Sequence, residues 1–159
     1  MDELLKILQS NALESHANIA RMLNVPAAEV ARRVAAYERD GVIRGYQAIL
    51  NEDQLDLDTV TAVIEVKVTP EREGGFNRIA ERISRFPEVR SAYLMSGTYD
   101  LLIFVEGPNL QRVAAFVSEK LATINGVLST STHFMLKTYK RLGVLMESRH
   151  EDERLTVTP

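Results

Sequence analysis

Val60, Ala62, Ile64, Val66 and Val68 alternate with Thr61, Glu65 and Lys67, the period of two that a half-buried β-strand requires. Val63 is the apolar exception on the outer face. After Pro70 and Gly74-Gly75 the period changes. Phe76, Ile79, Ala80, Ile83 and Phe86 fall at helical spacing, and Pro87 stops that helix. Val89 to Met95 predicts a second strand. Tyr99 to Val105 is nearly all apolar and predicts a central one. Leu110, Val113, Ala114, Val117 and Leu121 stripe another helix, closed at Asn125-Gly126, and Val127 to Lys140 predicts a long last strand. Strand–helix–strand twice over is the βαββαβ, ferredoxin-like arrangement. The fold class is therefore α+β, with this domain over residues 60–146.

The residues before it have a different pattern. Leu4, Ile7 and Leu8 recur at helical spacing, with Asp2 and Glu3 where a helix N-terminus favours negative charge. Ser15 caps a second helix, whose inner face carries Ile19, Ala20 and Leu23. Asn24 tolerates the left-handed conformation of a tight turn. A third helix starts near Pro26, with Ala27, Val30, Val34 and Tyr37 facing the core. Ala28, Glu29, Arg32, Ala36 and Arg39 fall opposite, and Arg33 lies at the flank. Gly41 ends the helix in a left-handed cap. Val42 to Leu50 predicts an extended β-wing, and Asn51 to Thr59 an acidic connector. Three short helices with a tight turn before the third have the layout of a helix-turn-helix, so residues 1–50 are expected to form a winged helix-turn-helix domain and 51–59 a linker. Glu147 onward is expected to be a charged tail.

The charge is −3 over 159 residues, far from the strongly basic surface of a non-specific nucleic-acid binder. Any DNA contact must be concentrated locally. Arg21, Arg32, Arg33, Arg39 and Arg44 outnumber Glu29, Glu38 and Asp40 after Ala20. Arg32 is best placed to reach a base edge or phosphate. Arg33, Arg39 and Arg44 are better placed for phosphate, and Ala28 and Glu29 share the exposed face. The chain has no cysteine, which excludes disulfides and thiolate metal sites and suits a reducing cytoplasm. Met1 to Lys6 lacks the layout of a signal peptide, and no apolar run approaches the roughly 18 residues of a membrane span.

Tyr37-Glu38-Arg39-Asp40-Gly41-Val42-Ile43, followed by Arg44-Gly45-Tyr46, resembles the Lrp/AsnC family of feast/famine transcription regulators. Ile7-Leu8…Asn11-Ala12 and Ile19-Ala20…Leu23 are similar to its opening helices, and the resemblance continues to about Met146. It departs from the family's pattern at Pro26, Ala27 and Ala28, where a hydroxyl cap and polar residues are usual, which leaves more of the readout to DNA shape and bending. The resemblance implies a DNA-binding regulator whose second domain dimerises through its sheet. It also implies an amino acid or related small effector bound between dimers, and further assembly into tetramers, hexamers or octamers. Gly97, Thr98, Tyr99 and Asp100 match the family's effector turn, and Thr130 and Thr132 its Thr-x-Thr on the last strand. The chemistry suits a zwitterion: backbone N–H groups at Gly97 can approach a carboxylate closely, and Asp100 can pair with an ammonium.

No cofactor, metal site or catalytic residue is expected. His16, His133 and His150 lack the spacing of metal ligands, there is no phosphate-binding Gly-rich loop, and no nucleophile motif surrounds any serine. Two alternatives share the architecture. Sirohaem decarboxylases place histidine and arginine around a tetrapyrrole, a cluster that Met135 to Lys140 does not supply. A small-molecule binder that no longer contacts DNA is the other, and Ala27 and Ala28 keep it open.

Overall fold

The computed structural model describes residues 1–55, 57–70 and 75–146. They form two compact units, Met1–Leu50 and the chain from Asn51 on.

The first unit holds three helices: α1 (Glu3–Ser10), α2 (His16–Leu23) and α3 (Ala27–Arg39). Side chains start the first two. Asp2 accepts from the Leu4 amide and Ser15 from the Asn18 amide, each satisfying a donor that the helix cannot. Asn24, at φ 53 and ψ 46, turns the chain between α2 and α3. Leu4, Leu8, Ile19, Ala20, Val30 and Val34 form the core, edged by Ile7, Leu23, Val25, Tyr37 and Ile43. Six buried residues at roughly 1.5–3 kcal/mol each make a thin core, so polar contacts between helices count for more here. Ala27, expected in that core, is exposed. It is the first residue of its helix, and Val25, ahead of the cap, takes the packing position instead. The predicted wing, residues 43–50, forms no β-ladder among the described residues; the Ile43 amide and the Tyr46 hydroxyl instead bond back to the Tyr37 carbonyl and the Glu38 carboxylate at the end of α3.

The second unit is a four-stranded antiparallel sheet in the order β2-β3-β1-β4. The strands are β1 (Val60–Val68), β2 (Val89–Leu94), β3 (Leu101–Gly107) and β4 (Val127–Phe134). β3 is central, as its apolar run predicts, and β1 is central beside it. Helix α4 (Asn77–Ser84) and helix α5 (Leu110–Ala115) supply Ile79, Ile83 and Val113 to one core with Ala62, Ile64, Val66, Leu101, Ile103 and Val105. The other sheet face carries Val63, Leu102 and Phe104, which are half-buried, and Tyr93, which is exposed. Tyr93 meets Phe104 edge to face at 6.1 Å.

Three expectations change. α5 passes directly into a π-helical segment, Phe116–Leu121, in which the Ala122 amide donates to the Val117 carbonyl. The wider turn lets Phe116 and Leu121, five residues apart, both reach the core, while Leu110 stays exposed. β4 ends at Phe134 rather than running to Lys140. Its only neighbour among the described residues is β1, and the ladder runs out at the Ala62–Phe134 pair and the Met135 amide bond to Thr61. The chain then makes a short hairpin of β5 (Lys140–Arg141) and β6 (Val144–Leu145). Its turn residues, Leu142 and Gly143, have φ values of 47° and 87°, the double positive φ of a tight hairpin. Finally, the connector is tied down. Asn51 donates to the Met146 carbonyl at 2.6 Å, and Arg141 pairs with Glu52 at 2.5 Å. Asp56 and the tail from Glu147 lie outside the described residues.

Candidate functional site

The exposed stripe of α3 consists of Ala28, Arg32, Ala35 and Arg39, at helical spacing on the side away from Val30 and Val34. Ala35, rather than the predicted Ala36, completes it, and spacing from Ala28 and Arg32 already points to that position. Two small residues interleave with two cations, so the helix backbone can approach a groove closely.

Each arginine has its own electrostatic setting. Arg32 is 73% exposed and its guanidinium is gripped by Glu29: Nε donates to Oε2 at 3.0 Å, and Nη2 donates to Oε1 and Oε2 at 2.8 Å. Arg39 pairs with neighbouring Asp40 at 2.9 Å. Arg44 has no carboxylate partner among the described residues and lies against Gly41, 3.3 Å from where a Cβ would stand.

Arg33 turns inward. Its guanidinium donates to the Asp2 carboxylate, and the Tyr37 hydroxyl donates to the same oxygen. Arg33 and Asp2 are only 28% and 23% exposed. The Tyr37 and Arg33 hydrogen bonds hold Asp2 down at about 2 from an ordinary 3.8. Asp2 thus caps α1 and binds α1 to α3 at once. Arg33, expected at the phosphate backbone, instead holds α3 against α1 through Asp2. Asp2 as its partner was invisible in the sequence, because the two stand 31 residues apart.

In the second unit, Gly97 to Asp100 form the turn between β2 and β3. The Met95 amide donates to the Asp100 carbonyl and the Asp100 amide to the Val66 carbonyl. One carboxylate oxygen of Asp100 accepts from the Val68 amide at 2.8 Å. β3 stops pairing with β1 at Leu101, so the Asp100 side chain takes the place of the missing strand. Asp100 therefore already has a structural role, with its second oxygen remaining for other partners. Thr130 and Thr132 pair with Val66 and Ile64 and share their helix-covered face, where both are half-buried. β1 separates them from the turn. Two strand spacings are roughly 10 Å, so a single chain brings Thr130 and the turn to one end of the sheet but not into one pocket. Two open grooves, of about 410 Å³ beside Asp58, Thr59 and Asn109 and about 320 Å³ beside Asn77, Glu81 and Arg85, include none of these residues.

His133 lies on the uncovered sheet face, 3.6 Å from Glu65 and 3.3 Å from Ser131. His16 begins α2, and His150 is outside the described residues. Among the described residues no three His, Cys, Asp or Glu side chains converge as metal ligands. No helix there is long and apolar enough to cross a membrane.

The sequence matches two family models: the AsnC-type helix-turn-helix domain over residues 3–38 and the Lrp/AsnC ligand binding domain over residues 61–145. The HTH-type transcriptional regulator YugG of Bacillus subtilis is 45% identical over 158 residues, covering 99% of this chain and 95% of that one. The leucine-responsive regulatory protein of Rhizobium meliloti is 30% identical, over 87% of this chain and 88% of its own. Among solved structures, an AsnC family regulator from Agrobacterium tumefaciens is 30% identical with a TM-score of 0.67, covering 89% and 94%. A transcriptional regulator of Neisseria meningitidis, solved in complex with L-Met, has the same fold at 23% identity and a TM-score of 0.68, covering 89% and 93%. A helix-turn-helix unit followed by an antiparallel α+β unit, matched in order along nearly the whole length, places this chain in the Lrp/AsnC family of transcriptional regulators.

Proposed function

We propose that this regulator is a ligand-controlled, sequence-specific DNA-binding switch that works as an assembly of two-fold dimers. The observation that carries it is the exposed α3 stripe of Ala28, Arg32, Ala35 and Arg39, a helix face that packs nothing in its own unit. Arg32, held by Glu29 and flanked by Ala28, meets base edges in the major groove, and Arg39 and Arg44 meet phosphates. Arg33 acts behind them by fixing α3 against α1. The −3 net charge suits a protein whose DNA affinity is confined to this face.

Dimers form through the uncovered sheet face of Val63, Tyr93, Leu102 and Phe104, and they associate further into tetramers, hexamers or octamers. A two-fold pair of α3 helices then matches a pseudo-palindromic site. The effector is an amino acid or a similar zwitterion, held between dimers by Gly97, Thr98, Tyr99 and Asp100, with Thr130 and Thr132 completing the polar shell. That these groups lie two strands apart in one chain supports a site finished by a second dimer, and the L-Met bound to a structural relative supports the ligand class. The effector changes DNA binding by its differential affinity for two assemblies.

A mobility shift on the chain's own upstream DNA, at two salt concentrations and with and without a pool of amino acids, tests this. The expected result is a salt-sensitive shift that one amino acid alters, with a sedimentation coefficient above the monomer's. No shift at any salt overturns the DNA reading. A shift indifferent to every amino acid overturns the effector reading.

A further inference from the structure

α3 is capped by Pro26, which makes no side-chain cap bond. Glu29 stands three residues on, where a capping-box glutamate would reach back to accept the cap residue's own amide. Proline has no amide hydrogen, so that bond cannot form. The Glu29 carboxylate instead turns forward one turn and takes Arg32 Nε and Nη2 with both oxygens. Glu29 is 35% exposed against 73% for Arg32, so the acid lies lower on the helix and the cation stands above it. The guanidinium is thereby held by its Nε–Nη2 edge, while the Nη1–Nη2 edge points away from the clamp. That free fork has the spacing of the two acceptors of guanine, O6 and N7. Ala28 and Ala35, one turn to either side, offer methyl groups and no competing polar atoms.

We propose that Glu29 is a positioning residue for base readout: released by Pro26, it locks Arg32 as a guanine reader within each half-site. This rests on the DNA-binding reading above and adds its specificity. An unclamped arginine would slide to the nearest phosphate, gaining affinity without sequence information. The clamp also sets a negative charge beside the contact, so the parent gives up some non-specific attraction in return for discrimination. The proline and two alanines that depart from the family's usual cap are then part of the reading device.

Selection from a random duplex pool by the full-length protein, followed by affinity measurements on single-base variants of the selected site, tests this. The parent is expected to select a guanine at one fixed position per half-site, preferred about tenfold or more. In Arg32→Ala that preference disappears while neighbouring positions hold. In Glu29→Ala it falls below about threefold, yet binding to mixed-sequence DNA is equal or tighter. Glu29→Gln, which keeps an acceptor without the charge, falls between. Pro26→Ser restores the amide and hydroxyl of a capping box, so it is expected to lose the preference while melting no lower than the parent. An undiminished guanine preference in Glu29→Ala overturns the proposal, as does loss of a cytosine preference alone, which would make Glu29 itself the reader. An undiminished preference in Pro26→Ser overturns the part assigned to Pro26. If the parent selects no sequence at all, the DNA-binding reading fails with it, a result separate from all of these.

Discussion

Breaking the Asp2–Arg33 pair should loosen the reading helix without touching any DNA-facing atom. Asp2→Asn is the informative change, because asparagine caps a helix as well as aspartate does, so the loss is the charge that faces Arg33, Tyr37 and the α1 N-terminus. The fall from 3.8 to about 2 corresponds to about 2.4 kcal/mol at 1.36 kcal/mol per pH unit. Asp2 and Arg33 keep 23% and 28% of their side-chain surface in water, and solvent screening reduces the expected coupling to about 1–2 kcal/mol. The sign follows from linkage: the folded state holds the proton less tightly than the unfolded state. The stabilisation is therefore complete above the ordinary carboxylate range and is lost as pH falls from about 4 through about 2. The assay is amide hydrogen exchange at Ile19, Val30 and Val34, buried reporters of this unit alone, which reads local opening whatever the second unit does. A double-mutant cycle of Asp2→Asn with Arg33→Met should give the share of the stabilisation that belongs to Arg33, the Tyr37 hydrogen bond holding the larger share, and that coupling should shrink as pH falls through about 2. A coupling under about 0.3 kcal/mol at neutral pH, or an Asp2 carboxyl titrating at its ordinary value, would refute the reasoning and return Arg33 to the phosphate contacts.

Gly126 has φ 96°, and a Cβ there would stand 2.6 Å from Ile79 Cδ1, so Gly126→Ala should destabilise the second unit by roughly 2–4 kcal/mol in chemical denaturation. Ile79→Ala in the same chain should recover none of the part due to φ. Asp100→Asn keeps an acceptor for the Val68 amide and should change stability by less than about 1 kcal/mol, while Asp100→Ala orphans that amide at about 1–3 kcal/mol. Both should abolish amino-acid binding by calorimetry. Retained binding in Asp100→Asn would assign the carboxylate to structure alone. Arg44, with no carboxylate partner among the described residues, should release more counterions on binding DNA than Arg39, which must first leave Asp40. Arg44→Ala should reduce the slope of log affinity against log salt by about 1 per contact, and Arg39→Ala by less.

Where the sequence was legible, the signal was local. The caps at Asp2 and Ser15 and the left-handed Asn24 depend on neighbours within a few residues, and the alternation in β1 depends on its own two faces. The end of β4 was not legible because its cause lay far along the chain. β4 ends because β1 ends, a fact about residues some seventy positions earlier. Nothing in Val127 to Lys140 encodes it. The π-helical segment follows from Phe116 and Leu121 both reaching the core, and a period of five is masked by the ordinary helical stripe around it. The hairpin at Leu142-Gly143 escapes turn rules because leucine is a poor candidate for positive φ. The turn from Gly97 to Asp100 was legible, but the amide held by Asp100 was not, since it depends on where β3 stops.

The strand order β2-β3-β1-β4 also sets a timetable for synthesis. The helical unit makes its core and ion-pair contacts within its own first 50 residues and is complete once Leu50 has left the ribosome, so it can fold early. β1 emerges next, but both its partners are still unmade: β3 begins 33 residues after β1 ends, and β4 follows later. Its apolar row of Ala62, Ile64, Val66 and Val68 must wait exposed until the β2–β3 hairpin forms and accepts it. The nascent chain thus passes through a stage with a finished reading head and an unpaired central strand, the interval in which a chaperone has most to protect.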